Sequence, residues 1–277
     1  MARRNLIKIA FLLSLLILFS SCLDIEPTYQ RKNIETAIKN LCKEEYNLKV
    51  EVKEAEDTIW IYAPFNNLTD GKGELDKKVT EEIGDIILSL QRVILSIDKP
   101  PKFYIFVASD IKNTGADLIL IGFVPDLVKF QLRFISRDEF FKRRYLNFRI
   151  NPQALGDEKG YHIKKFNLDL EDFTALIIGQ QIRKFFTSAE YKEYFEVKKV
   201  EAGFNPQNKD LTIIIDIKKK KHKPPLPNPL EETLKIAQYY TCKVYELKNF
   251  SSLRIEDLDS GKIKILSKKA LQELSFD

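Results

Sequence analysis

Residues 103–110 read FYIFVASD and residues 116–123 read ADLILIGF, two short and nearly unbroken apolar runs joined by the turn-rich IKNTG. Runs of that length and composition predict strands central to a sheet. TIWIYAPF, over residues 58–65, predicts another, closed by Pro64 and the loop NNLTDGKGE. Leu48, Val50 and Val52 alternate with Lys49, Glu51 and Lys53, the period of a half-buried strand. Helical spacing takes over elsewhere. Ile34, Ala37, Ile38, Leu41 and Cys42 make one apolar stripe, and Leu75, Val79, Ile83, Ile86, Ile87, Leu90, Ile94 and Ile97 make a longer one. Lys99-Pro100-Pro101 stops the second helix. Two shorter helices are predicted next: one opens at Val124-Pro125-Asp126, the other with Ser136 as N-cap and Glu139 three residues on. A strand near 147–150, a helix over 169–186, strands over 194–204 and 211–217, a helix from about Leu230 and strands near 252–258 and 262–266 complete the pattern.

Helix, strand, strand therefore recurs along the chain. Adjacent strands of this kind pair antiparallel, so the expected class is α+β: repeated helix-strand-strand units forming antiparallel sheets, with helices packed mainly on one face. A weak internal match sets Tyr46, Lys49 and Val50 against Tyr240, Lys243 and Val244, and at the same offset Ile59 and Ile61 against Leu253 and Ile255. Composition breaks suggest a leader over 1–21, a polar tether over 22–32, a main α+β domain over 33–217, a Lys/Pro-rich linker over 218–229 and a C-terminal helix-strand-strand unit over 230–277.

The leader changes the charge picture. Arg3, Arg4 and Lys8 precede or open an apolar stretch from Ile9 to Phe19, about half of the roughly 20 residues needed to cross a bilayer. A positive start, a short apolar middle and a small-residue exit describe an export signal. Its end, Phe19-Ser20-Ser21-Cys22, resembles the lipobox of a bacterial lipoprotein precursor, with Phe where that family usually has Leu. The resemblance covers these first 22 residues alone. It implies lipidation of Cys22 and several acyl chains, which anchor firmly where a single chain does not. It also implies a place in the cell envelope, at the outer membrane facing the periplasm in a diderm; conventional cleavage and release of a secreted protein is the other exit. Without residues 1–21 the chain carries 42 basic and 40 acidic residues, so no global field draws nucleic acid. If Cys22 carries lipid, Cys42 and Cys242 remain, and in an oxidising compartment they are available for a disulfide.

Chemistry is harder to find. His162 and His222 are far apart, there is no Cys-x-x-Cys or His-x-x-x-His, and no metal or cofactor is expected. The oxygen-rich loop Asp110–Asp117 lacks EF-hand spacing and reads as a turn. No phosphate loop and no Gly-x-Ser-x-Gly elbow occurs. One stretch stands apart, KFQLRFISRDEFFKRRYLNFR over residues 129–149. Arg133, Arg137, Lys142, Arg143, Arg144 and Arg149 alternate there with aromatic residues, as in surfaces that meet anionic lipid or acidic envelope polymers. Read structurally, the same stretch is an amphipathic helix pair whose aromatics pack on the sheet. The expected function is a lipid-anchored envelope protein that binds or scaffolds, its partners the membrane, anionic lipid or polymer, or another envelope protein, and not nucleic acid. The alternatives are a carrier for an apolar ligand beneath residues 124–149 and an enzyme whose site is dispersed in sequence.

Overall fold

The computed structural model describes residues 27–70, 73–220 and 226–275. Helix α1 (Ile34–Tyr46) leads into β1 (Glu51–Ala55) and β2 (Thr58–Phe65), and α2 (Lys77–Leu95) crosses to β3 (Phe103–Asp110) and β4 (Ala116–Phe123). Asp76 starts α2, its carboxylate accepting from the backbone N–H of Lys78 at 2.8 Å and of Val79 at 3.2 Å. Two short helices follow, α3 (Val124–Gln131) and α4 (Arg137–Lys142), and then β5 (Tyr145–Ile150). The second half holds α5 (Leu170–Phe186), β6 (Phe195–Asn205), β7 (Asp210–Lys219), α6 (Pro229–Gln238), β8 (Ser252–Asp257), β9 (Lys262–Ser267) and α7 (Lys268–Glu273).

The chain is α+β, as its pattern predicts, but its two sheets are mixed rather than antiparallel. The first runs β1-β2-β3-β4-β5 and the second β6-β7-β8-β9. In the first, β2 and β3 are parallel, and in the second β7 and β8 are; the other neighbours are antiparallel. The cause is the crossover: α2 and α6 each carry the chain back along the sheet before the next strand begins. The expected division of the chain also meets a different pairing, since β6 and β7 share a sheet with β8 and β9. Lys218 and Lys219, expected in the linker, are the last residues of β7. β1 begins at Glu51, so the alternation from Leu48 is only partly strand.

Both halves trace helix, strand, strand, helix, strand, strand. In that correspondence β2 answers to β7 and β3 to β8, whereas the weak sequence match sets β2 against β8. It also sets residues 46–50 against a π-helical turn, Tyr239–Val244, that continues α6. The match is therefore not the structural repeat.

Helices cover both faces of the first sheet. Ile59, Ile61, Tyr104 and Phe106 pack on one side with Ile34 and Ile38 of α1, Ile86 and Leu90 of α2 and Leu127 of α3. Trp60, Tyr62, Phe103 and Ile105, alternating with them, pack on the other side with Phe173 and Ile177 of α5, with Leu234 of α6 and with the inward residues of β7 and β8. Helices α5 and α6 thus form the layer between the sheets, and helices do not keep mainly to one face. α5 is buried around more than one side, at Phe173, Thr174, Ala175, Ile177 and Ile178, as befits a helix between two sheets. Gly122 is required by close approach: a Cβ there would fall within the ring of Tyr104, its cross-strand partner.

Candidate binding surface

α3 ends in a Schellman turn. Arg133 N–H donates to Phe130 O at 3.0 Å and Phe134 N–H to Lys129 O at 2.8 Å. Arg133 holds the left-handed position (φ 61°) that glycine usually takes. The turn lifts Leu132 and Phe134 off the body, and Phe134 is 75% exposed. Ser136 then caps α4 as its spacing predicts, its Oγ accepting from Glu139 N–H at 3.1 Å.

The cations predicted to share one surface separate into two groups. Arg133, Arg137 and Lys142 are exposed and enter no ion pair among the described residues. Arg137 lies 5.5 Å from the centre of the Phe141 ring, which is itself exposed. Arg143, by contrast, is buried. Its Nη1 lies 3.1 Å from Asp126 Oδ1 and its Nε 2.8 Å from Glu139 Oε1. Arg144 lies across Phe140 at 4.9 Å and Phe141 at 4.3 Å. Arg149 stays half exposed but is drawn back towards the buried Asp117, 3.4 Å away. Of the six cations expected on one surface, Arg133, Arg137 and Lys142 are thus the three that are exposed with no ion pair among the described residues. Successive residues around a helix end point in different directions, and Asp126, which claims Arg143, comes from another helix.

Beneath this surface α3 and α4 pack closely, while a cleft of about 560 Å³ opens farther along, beside Tyr145, Leu146 and Asn147 of β5 and Gly179 and Gln180 of α5. Phe130 and Phe140 stack at 4.5 Å with their planes 5° apart, and Leu127 is fully buried. The Asp126–Arg143 pair also ties the halves together, because Tyr245 donates its hydroxyl to Asp126 Oδ2 at 3.3 Å and Tyr239 donates to Glu139 Oε1 at 3.2 Å. Burial lifts Asp126 above the ordinary carboxylate range, and Arg143 only partly offsets it. Burial would lower Arg143, yet Glu139 and Asp126 together hold it above its usual value. The π-helical turn at 239–244 is what brings Tyr239 and Tyr245 to this pair.

A second polar cluster was not legible in the sequence. The loop histidine His162 is buried, its side chain 3% exposed. Its Nδ1 lies 2.6 Å from Asp157 Oδ2, and its Nε2 lies 3.4 Å from Asp117 Oδ1. Ser109 donates to Asp117 Oδ1 at 2.5 Å, Asn151 Nδ2 to Asp117 Oδ2 at 2.9 Å, and Tyr62 to Asp157 O at 2.5 Å. Burial would raise Asp157, but the backbone N–H and ring of His162 outweigh it and hold the carboxyl below its usual range. Ser109 gives its proton to Asp117 rather than to His162, so this is no Ser-His-Asp relay. It pins the loop over residues 151–167 onto the end of the sheet. Gly160 allows the loop to close, with φ 67° and space for no Cβ beyond 2.8 Å from the Tyr62 ring.

No protein-family model matches the chain, and no curated protein sequence matches it. The remaining assignments rest on geometry. Cys42 and Cys242 are free thiols, and the disulfide open to them is not formed. Cys42 packs among α1 and α2, where burial raises its pKa, while Cys242 lies in the π-turn on the other core. Cys22 and the segment expected to be an export signal lie outside the described residues. The described chain is already held at Tyr29, whose N–H donates to Ser96 O at 3.1 Å, and at Arg31, whose guanidinium donates to Lys99 O at 2.8 Å and Glu56 O at 2.9 Å. The tether expected through residue 32 therefore ends earlier. Among the described residues no helix is long and apolar enough to cross a membrane. The oxygen-rich loop after β3 is a turn: Asp110 Oδ1 accepts from the N–H groups of Lys112 at 3.1 Å and Asn113 at 2.9 Å.

Proposed function

We propose that this chain is a lipid-anchored envelope protein that acts by binding, and that residues 132–142 are its contact with an anionic surface. The observation that carries the reading is the raised turn: exposed Leu132 and Phe134 beside Arg133, Arg137 and Lys142, none of them claimed by a carboxylate among the described residues. Apolar tips that can enter a headgroup layer, with unpaired cations around them, are the two components of peripheral attachment to anionic lipid. A non-glycine residue at the left-handed position of the turn costs conformational energy, and here it places a cation at the tip. The anchor rests on Phe19-Ser20-Ser21-Cys22. From Cys22 to Pro27 the chain reaches at most about 18 Å, which keeps the fold close to whatever membrane holds the lipid. The close packing of Phe130, Phe140 and Leu127 weighs against a ligand cavity directly beneath α3 and α4.

Metabolic labelling with a fatty-acid analogue, wild type against Cys22→Ala, tests the anchor: label on the wild type alone is expected, and an unlabelled wild type ends that part. Flotation of the Cys22→Ala chain with vesicles tests the surface. Binding to phosphatidylglycerol vesicles is expected to fall about tenfold or more on Arg133→Glu/Arg137→Glu and to weaken with salt. Equal binding to phosphatidylcholine, or indifference to charge reversal, overturns it.

A further inference from the structure

Among the described residues four strands lie at sheet edges, and three are protected against pairing with another chain. β1 is short, and Glu51, Lys53 and Glu54 are tied to Lys39, Glu35 and Arg31. β6 is bulged between Val197 and Lys199 and carries Glu196, Lys198, Lys199 and Glu201. β9 also shows Ile263 and Ile265, 53% and 61% exposed, but Lys262 and Lys264 alternate with them along the strand. β5 has one charge, Arg149, no proline and no bulge. It shows Leu146, Phe148 and Ile150 on one face, 52%, 46% and 63% exposed.

The backbone of β5 faces outward at the same residues. Leu146 N–H donates to Gln180 Oε1 at 2.7 Å, and Gln180 Nε2 donates to Arg144 O at 2.8 Å. The side-chain amide of α5 thus stands in for a neighbouring strand at the start of β5 and stops there. By the alternation of an antiparallel strand, the outward N–H and C=O groups that follow belong to Phe148 and Ile150. An apolar face and an open row of backbone groups on one short strand ask for another strand.

We propose that the occupant is β5 of a second copy of this chain, paired antiparallel about a two-fold axis at Phe148. In that register Phe148 faces Phe148, Leu146 faces Ile150 and Asn147 faces Arg149. Every pair is compatible: aromatic with aromatic, aliphatic with aliphatic, and the cation opposite an amide. The register one step along would set Arg149 against Arg149, like charges directly opposed. On pairing, Leu146 N–H passes from Gln180 to the Ile150 C=O of the other copy, and this bond, the reciprocal bonds of Phe148 and the Ile150 N–H to Leu146 C=O bonds join the copies. The first sheets of the two copies become one continuous sheet. The interface is isologous, so pairing ends at the dimer. It uses β5 and leaves the turn over 132–142 free, so it stands or falls apart from the surface proposed above.

Two measurements test it on the full chain carrying Cys22→Ala. In sedimentation, the chain is expected to self-associate, and Phe148→Glu, at an exposed position, to weaken that about tenfold or more without changing its circular dichroism. Under mild oxidation, a mixture of Asn147→Cys and Arg149→Cys chains is expected to cross-link, while neither variant cross-links alone. A chain monomeric at all concentrations, self-association untouched by Phe148→Glu, or cross-linking by Arg149→Cys alone overturns the proposal.

Discussion

β2 and β7 hold corresponding places, each the second strand of its sheet and each parallel to the strand beyond a crossover helix. Yet they sit in different surroundings. Along β2 every residue but Pro64 is buried, whereas β7 alternates buried and half-buried from Asp210 to Ile217. The first sheet lies between two helix layers; the second has helices on its inner face and water on its outer one. Topology alone therefore does not set the apolar pattern of a strand. The number of covered faces does, and the same trace of helix, strand, strand serves both arrangements.

The largest expected effect compares the faces directly. Phe106→Ala, in the doubly covered β3, should cost about 3–5 kcal/mol in urea unfolding. Ile214→Ala, on the outer face of β7, should stay within about 1 kcal/mol. Equal losses would mean that the outer face of the second sheet is also covered.

The junction between the halves comes next. Arg143→Met leaves Asp126 buried without its cation, at a cost of about 3–5 kcal/mol near neutral pH. Asp126 already titrates above its unfolded value because of burial. Its contribution is therefore greatest at pH below that unfolded value and declines as pH rises through the raised one. Without Arg143 the folded value rises further, so the deficit should shrink as acid protonates Asp126. Unfolding curves measured from neutral to acidic pH check this, and a deficit constant with pH would remove Asp126 from the account.

A smaller effect sharpens the packing of the first sheet. Gly122→Ala forces Tyr104 to move and should cost about 1–3 kcal/mol. Gly203→Ala, on the edge of the second sheet with open space around it, should change little by the same measurement.

Several elements could be read directly from the residues. β2 and β4 have the bounds that TIWIYAPF and ADLILIGF suggest, Ser136 caps its helix, and α5 runs from Leu170 to Phe186 where a helix over 169–186 is expected. These are local matters, decided by side-chain period and by bonds spanning a few residues. The parallel pairs were not legible, because strand direction depends on where a crossover helix delivers the chain. Nor was the burial of Arg143 or the stacking of Arg144, since Asp126 and the Phe140 ring claim them from another helix or across a helix turn. His162 looked like a loop residue and is one, but Asp117, 45 residues away, draws it inward.

By itself, then, the sequence determined the kinds and most of the bounds of the secondary elements, the class of the fold, and an amino-terminal segment with the form of an export signal. Tertiary structure alone decided which strands are parallel, that the halves repeat at a different offset from the sequence match, that Cys42 and Cys242 lie in separate cores, and which cations reach the surface. The physical reason is range. Periodicity and capping act over a single turn or pleat, whereas pairing, burial and charge neutralisation are settled by groups that meet only after the chain has folded back on itself.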